Sequence, residues 1–123
     1  MSTKILIVDD SSTIRRQVGT ALVREGYEVL EAEDGVQGLN AIGAARDIAL
    51  VICDFNMPNM NGLEMLSAVK ADARNALLPV VMLTTEGKAE LISQAKRGGA
   101  KGWVVKPFKP DQLLAAVRKI IGS

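Results

Sequence analysis

The chain has 123 residues, 48% of them hydrophobic and 24% charged, which suits one domain with its own core and rules out a disordered polymer. Its formal charge of +1 takes away the bulk electrostatics of nucleic-acid binding, and the absence of histidine takes away imidazole acid–base chemistry. A single cysteine, Cys53, leaves no internal disulfide and, without histidine, no plausible zinc site, so a reducing cytoplasmic compartment is expected.

The first apolar run, Ile5 to Val8, predicts a buried strand that stops at the acidic pair Asp9–Asp10. Ser11 or Ser12 can cap a first helix, whose stripe is Ile14, Val18, Ala21 and Leu22, and Gly26 follows it. Val29–Leu30, within YEVLEA, predicts the second strand, and Val36, Leu39 and Ile42 the second helix. Ala49–Cys53 is the third strand and runs into Asp54. After the turn-rich DFNMPNMNG, Leu63, Leu66 and Val69 mark the third helix. Val80–Leu83 is the fourth strand, followed by Thr84–Thr85 and then by Leu91, Ile92 and Ala95 at helical spacing. Trp103–Val105 is the fifth strand and ends at Lys106. Pro110 and Asp111 open the last helix, striped with Leu113, Leu114, Val117, Ile120 and Ile121.

No apolar run approaches the roughly 20 residues of a membrane span. The five βα repeats predict an α/β fold spanning 1–123 as one domain. Near-continuous apolar strands suit a parallel sheet covered on both faces. Right-handed crossovers then give a doubly wound five-stranded sheet, with flavodoxin-like order 2-1-3-4-5.

Ligands of such sheets bind outside the carboxyl ends of the strands. Asp9, Asp10, Asp54, Thr84 and Lys106 all fall there. Two like charges about 4 Å apart repel by roughly 4 kcal/mol at an effective dielectric near 20. Lys106 offsets one carboxylate. A hard divalent cation suits the rest, and carboxylates without His or Cys favour Mg²⁺. Any one of these aspartates could simply cap a helix or end a strand, but that reading leaves the convergence of all five residues unexplained. An aspartate beside a divalent cation can attack phosphorus and become an aspartyl phosphate.

The stretches ILIVDDSSTIRR, DFNMPNMNG, LTTE and GWVVKPF resemble the receiver domain of bacterial response regulators, and among these the single-domain chemotaxis regulators. The resemblance spans the whole chain. It implies that Asp54 is the phosphoacceptor, and that Asp10 holds Mg²⁺ directly and Asp9 through water. Asp54 and the backbone carbonyl of Asn56 would complete the protein ligands. Lys106 would pair with Asp54 and then with the phosphoryl group, across a cis Lys106–Pro107 peptide. Thr84 would move to hydrogen-bond a phosphoryl oxygen, and Trp103 stands at the aromatic switch position usually held by Tyr, Phe or His. Asn56 and Glu86 would flank the attacking water and set the phosphoryl lifetime, their combination resembling a short-lived signal. Asn61–Gly62 replaces the usual Asp–Gly, with the glycine supplying the turn, and Ser11 stands where the motor-binding regulators carry a bulky aromatic.

Some residues read more plainly. Cys53 is a core hydrophobe, Met57 and Met60 either pack over the sheet end or face a partner, and Arg15 and Arg16 decorate an exposed helix face. Lys88, Lys96, Arg97, Lys101 and Lys109 cluster around helix 4, strand 5 and helix 5, the face that carries the switch in receivers.

The resemblance thus implies a monomeric signalling protein, with no nucleic-acid or membrane partner and no attached output domain. A histidine kinase would donate the phosphoryl group, and the basic face would bind an output protein, the flagellar motor being one candidate. An alternative is a phosphorelay intermediate that passes the group to another histidine protein. A haloacid-dehalogenase-type phosphatase would need an acid where Asn56 stands. A flavodoxin-like FMN binder would need a phosphate loop where Asp9 and Asp10 repel phosphate.

Overall fold

The computed structural model describes residues 3–45, 47–85 and 89–122. Five strands, β1 (Lys4–Val8), β2 (Glu28–Ala32), β3 (Ile48–Asp54), β4 (Val80–Thr84) and β5 (Gly102–Val105), form one parallel sheet in the order 2-1-3-4-5. Helices α1 (Ser12–Arg24), α2 (Gly35–Ala44), α3 (Gly62–Ala71), α4 (Ala89–Arg97) and α5 (Pro110–Ile121) alternate with them. This is the doubly wound architecture that the alternating periodicities predict. A short 3₁₀ turn at Ala73–Asn75, absent from the sequence reading, follows α3.

Strand alternation sorts the apolar residues into two cores. Ile5, Ile7, Leu50, Ile52, Val81, Leu83 and Val104 face α1 and α5, where they meet Val18, Leu22, Leu113 and Val117. Leu6, Val8, Val51, Cys53, Val80 and Met82 face the other way and meet Ile42 of α2, Met65, Leu66 and Val69 of α3, and Ala95 of α4. A sheet buried on both faces needs apolar residues at successive positions, which is why its strands read as continuous runs. Cys53 is fully buried, its Sγ 3.6 Å from Met65 Sδ, and burial first, then the charge of Asp54, pushes its thiol far above the ordinary range. It is a core residue, as expected.

The helix starts are set by local chemistry. Ser11, not Ser12, caps α1, its Oγ accepting from the Ile14 amide at 3.3 Å. Asn61 caps α3 in a reciprocal box: its Oδ1 accepts from the Glu64 amide at 2.8 Å, while Glu64 Oε1 accepts from the Asn61 amide at 3.0 Å. Asn61→Ala is expected to lower stability by about 1 kcal/mol, read from urea denaturation.

Gly62 corrects the sequence reading. It is the first residue of α3 and has no left-handed backbone, so a turn does not demand glycine there. Space does: a Cβ on Gly62 would lie 2.5 Å from the Asp54 carbonyl oxygen and 3.0 Å from Phe55 Cα. The helix starts in direct contact with the end of β3.

Candidate functional site

The site is assembled by strand register. Val8 pairs with Cys53 in the β1–β3 ladder, so the residues that follow them, Asp9 and Asp54, emerge side by side at the carboxyl end of the sheet. The Asp9 amide still donates to Ala32 O at 3.1 Å, extending the ladder toward β2 by one bond. Thr84 ends β4 and is fully buried. Lys106 leaves β5 with its amide donating to Thr84 O at 2.6 Å, and the Lys106–Pro107 peptide is cis, as the resemblance implies.

Three carboxylates, Asp9, Asp10 and Asp54, each offer an oxygen within 4.8 Å of the others. Asp9 and Asp54 are buried and Asp10 is exposed. Lys106 Nζ lies 2.9 Å from Asp9 Oδ2 and 3.2 Å from Asp54 Oδ1. Lys106 is therefore tied to two aspartates, and more closely to Asp9 than to the Asp54 of the sequence reading. Asp9 spends its other oxygen on the Ser11 amide, 2.9 Å away, which fixes the turn into α1.

Burial, followed by the charge of Asp9, holds the Asp54 carboxyl above the usual range, and Lys106 pulls it only part of the way back. Burial works against the Lys106 ammonium too. The hydrogen bond to Asp9 and the charges of Asp54 and Asp9 outweigh it, so its pKa rises above that of an ordinary lysine. One ammonium against three carboxylates leaves the cluster short of positive charge. At this spacing each carboxylate pair repels by roughly 3–4 kcal/mol at an effective dielectric near 20. The donor set is all oxygen, so a hard divalent cation with bonds of about 2.1 Å fits it and a thiophilic metal does not.

The other predicted residues surround this cluster. Asn56 is exposed in the 55–61 loop, two residues beyond Asp54. Glu86 and Lys88 lie outside the described residues. Trp103 pairs with Met82 in the sheet, and its ring centroid is 6.2 Å from that of Phe55, tilted by 55°. Its Nε1 is buried without a hydrogen-bond partner among the described residues. Lys96, Arg97, Lys101 and Lys109 are exposed, as read from sequence, and Met57 and Met60 are half-buried and pack against the core that holds Met65, Leu66 and Val69.

Arg15 departs from expectation. Its side chain is only 12% exposed, with Nη1 2.6 Å from the Asp9 carbonyl and Nε 2.9 Å from Glu31 Oε1. It clamps the backbone of the acidic turn to the end of β2, and of the two arginines only Arg16 is on the exposed helix face. Helical spacing put Arg15 one residue beyond Ile14 in the core stripe, and the acidic residue at the end of β2 was the signal that a partner waited there. The sequence reading also missed Asp34 and Asn59, which are bonded to each other at 2.8 Å. The DG pair with Gln37 three residues on marked Asp34 as a helix cap.

The family described as the response regulator receiver domain matches residues 5–118. The chain belongs to that family, whose members are signalling regulators that bind Mg²⁺ at an acidic aspartate cluster. Within it the chain is CheY-like: it is 45% identical over 122 residues to chemotaxis protein CheY1 of Helicobacter pylori, covering 98% of each. The crystal structure of chemotaxis protein CheY4 from Vibrio cholerae, 41% identical, superposes with a TM-score of 0.92 over 98% of this chain and 99% of that one. A CheX–CheY–BeF3–Mg²⁺ complex from Borrelia burgdorferi contains a chain 28% identical, with a TM-score of 0.89 over 96% of this chain and 88% of that one. Among the described residues no helix is long and apolar enough to cross a membrane.

Proposed function

We propose that Asp54 accepts a phosphoryl group from the phosphohistidine of a histidine kinase, and that the modified domain signals through its α4–β5–α5 face. The observation that carries this reading is the trio of carboxylate oxygens within 4.8 Å, with one ammonium bonded to two of their groups. Asp9, Asp10, Asp54 and the backbone carbonyl of Asn56 would hold Mg²⁺. When bound, that ion screens the carboxylates and neutralises charge on the transferring phosphoryl oxygens.

The chain's own groups do the rest. An Asp54 carboxylate oxygen forms the new bond to phosphorus as the donor's phosphorus–nitrogen bond breaks, and the imidazole leaves with the electron pair. Burial keeps Asp54 poorly solvated, which favours attack over hydration of the nucleophile. Lys106, already within 3.2 Å of Asp54, supplies positive charge to the phosphoryl oxygens without having to travel. Thr84, at the end of the neighbouring strand, turns its hydroxyl to the new group. Trp103 then repositions, finding a partner for its indole N–H, and the face of α4, β5 and α5 with Lys96, Arg97, Lys101 and Lys109 changes its affinity for an output protein. Asn56 and Glu86 set how long the signal lasts.

On this reading the chain catalyses only its own phosphorylation and dephosphorylation and works as a cytoplasmic receiver domain. Its partners are the kinase and an output protein, for which the flagellar motor is one candidate, and a CheX-like protein is a further candidate partner in view of the CheX–CheY complex from Borrelia burgdorferi. The test is intact mass after incubation with Mg²⁺ and a small acyl phosphate. One labile phosphoryl adduct is expected on the wild type and none on Asp54→Asn. An unmodified wild type that still binds Mg²⁺ would overturn the mechanism.

A further inference from the structure

The loop 55–61 joins Asp54 to α3 and carries Asn56. Its ends are fixed by the Gly62 amide, which donates to Phe55 O at 2.9 Å, and by the Asn61 cap. Its middle is fastened elsewhere. Asn59 has a φ of 68°, the one non-glycine residue with positive φ among those described. Its Nδ2 donates at 2.8 Å to Asp34 Oδ2, while Asp34 Oδ1 accepts from the Gln37 amide at 2.9 Å and caps α2. Asp34 is only 7% exposed, so one buried carboxylate uses one oxygen for the helix and the other for the loop. The Gln37 amide foremost, then Asn59, hold its pKa below the usual carboxylate range.

An apolar contact lies beside this bond. Met60 sits against Gly35, where a Cβ would come within 2.7 Å of Met60 Cγ. The glycine that opens α2 is thus a seat for the loop's methionine. Asparagine takes the left-handed conformation more readily than most residues, and the Met60 amide, donating to Pro58 O at 2.7 Å, closes a tight turn around Asn59. What ties that turn to the rest of the fold is Asp34 and Gly35, neither of which belongs to the carboxylate cluster.

We infer that Asp34 and Asn59 are positioning residues for the metal: their bond holds the 55–61 loop so that the Asn56 carbonyl is presented to Mg²⁺. This rests on the reading of Asn56 as a ligand. Mg²⁺ demands near-ideal octahedral geometry, so a carbonyl on a wandering loop binds it poorly. The β2–α2 turn thereby becomes part of the metal site without touching the ion.

The test measures the Mg²⁺ dissociation constant by titration calorimetry on the full chain, with amide hydrogen exchange of residues 56–60 in metal-free protein. Asp34→Ser keeps a good helix cap and loses the bond to Asn59. Asn59→Gly keeps the positive φ accessible and loses the same bond from the other side. Each is expected to raise the dissociation constant roughly tenfold, the low end for groups behind metal ligands, and to speed exchange in the loop. The double variant should be no weaker than either single, because one bond is removed once. Asp34→Asn can cap α2 and pair with a flipped Asn59 amide, so it should restore binding to within about twofold of wild type. Thermal unfolding checks that each variant folds, and Asn59→Gly carries the test if Asp34→Ser does not. Variants that bind Mg²⁺ as tightly as a binding wild type, or a double variant whose loss is the product of the singles, overturn the positioning role alone. A wild type that takes up no Mg²⁺ overturns the metal site and this role with it.

Discussion

Gly62→Ala is expected to destabilise the protein by about 2 kcal/mol and to slow phosphorylation of Asp54, a large response to one methyl group. Alanine is the better helix former by up to about 1 kcal/mol, so propensity alone predicts the opposite sign. Contact decides it. The new Cβ would stand 2.5 Å from the Asp54 carbonyl oxygen, 2.7 Å from Met82 Cε and 3.0 Å from Phe55 Cα. Met82 Cε is the end of a flexible side chain and can swing aside; the other two are backbone. Relief requires α3 to back away from the sheet, lifting Met65, Leu66 and Val69 from their core, or the end of β3 to move, displacing Asp54. Urea denaturation gives the first effect and the adduct's growth rate with a small acyl phosphate gives the second. Asn61→Ala is the control, since it weakens the same helix start without crowding Asp54. Stability within about 0.5 kcal/mol of wild type, with an unchanged phosphorylation rate, would show that the backbone relaxes freely and that the argument from space is wrong.

The glycine also shows where sequence reading ran short. Strand and helix periods, and the apolar runs of a sheet buried on both faces, were legible because each depends on neighbours in the chain. So was the gathering of Asp9, Asp10, Asp54, Thr84 and Lys106, since parallel strands bring their carboxyl ends to one edge. The reason for Gly62 was not legible, because a close approach between backbones separated by a loop leaves no periodic trace. The pair of hydrogen bonds that Lys106 donates to Asp9 and Asp54 depends on where a long side chain ends after crossing from β5. Arg15 looked like surface for a related reason: its partners, the Asp9 carbonyl and Glu31, lie on the adjoining turn and on the strand β2. Asp34 and Asn59 are 25 positions apart, and each alone reads as ordinary turn chemistry.

Lys106→Met should lower the stability of the metal-free protein at neutral pH by about 3 kcal/mol, with the deficit shrinking as the pH falls. Methionine keeps most of the apolar stem, so the change removes the ammonium more than the packing. Asp9 and Asp54, with side chains 1% and 8% exposed, then face each other without their common cation. Asp54 is already held above the usual carboxylate range by burial and by Asp9, and Lys106 is the group that pulls it down; without Lys106 it rises further. A group whose folded pKa exceeds its unfolded value favours folding fully below the unfolded pKa, and that contribution is lost as pH rises through the folded one. The variant's penalty is therefore greatest above the folded pKa of Asp54 and fades as the pH falls toward the unfolded value of about 4, because Asp54 takes its proton at a higher pH in the folded chain than in the unfolded one. The ammonium's own contribution sits at the other end of the scale. Its pKa is raised above the ordinary 10.5, so it stabilises below that value and is lost as pH rises through the higher folded one. The wild type should thus lose ground to the variant in strong alkali. Adding Asp54→Asn to Lys106→Met removes the charge left stranded and should recover about half of the loss, since a buried carboxylate without a partner is what the single change creates. Urea denaturation in chelator from about pH 4 up into strong alkali supplies all of these comparisons. A deficit that stays flat from pH 7 to pH 4, or a double variant no more stable than Lys106→Met, would mean that the ammonium acts through packing and that carboxylate repulsion does not govern the site.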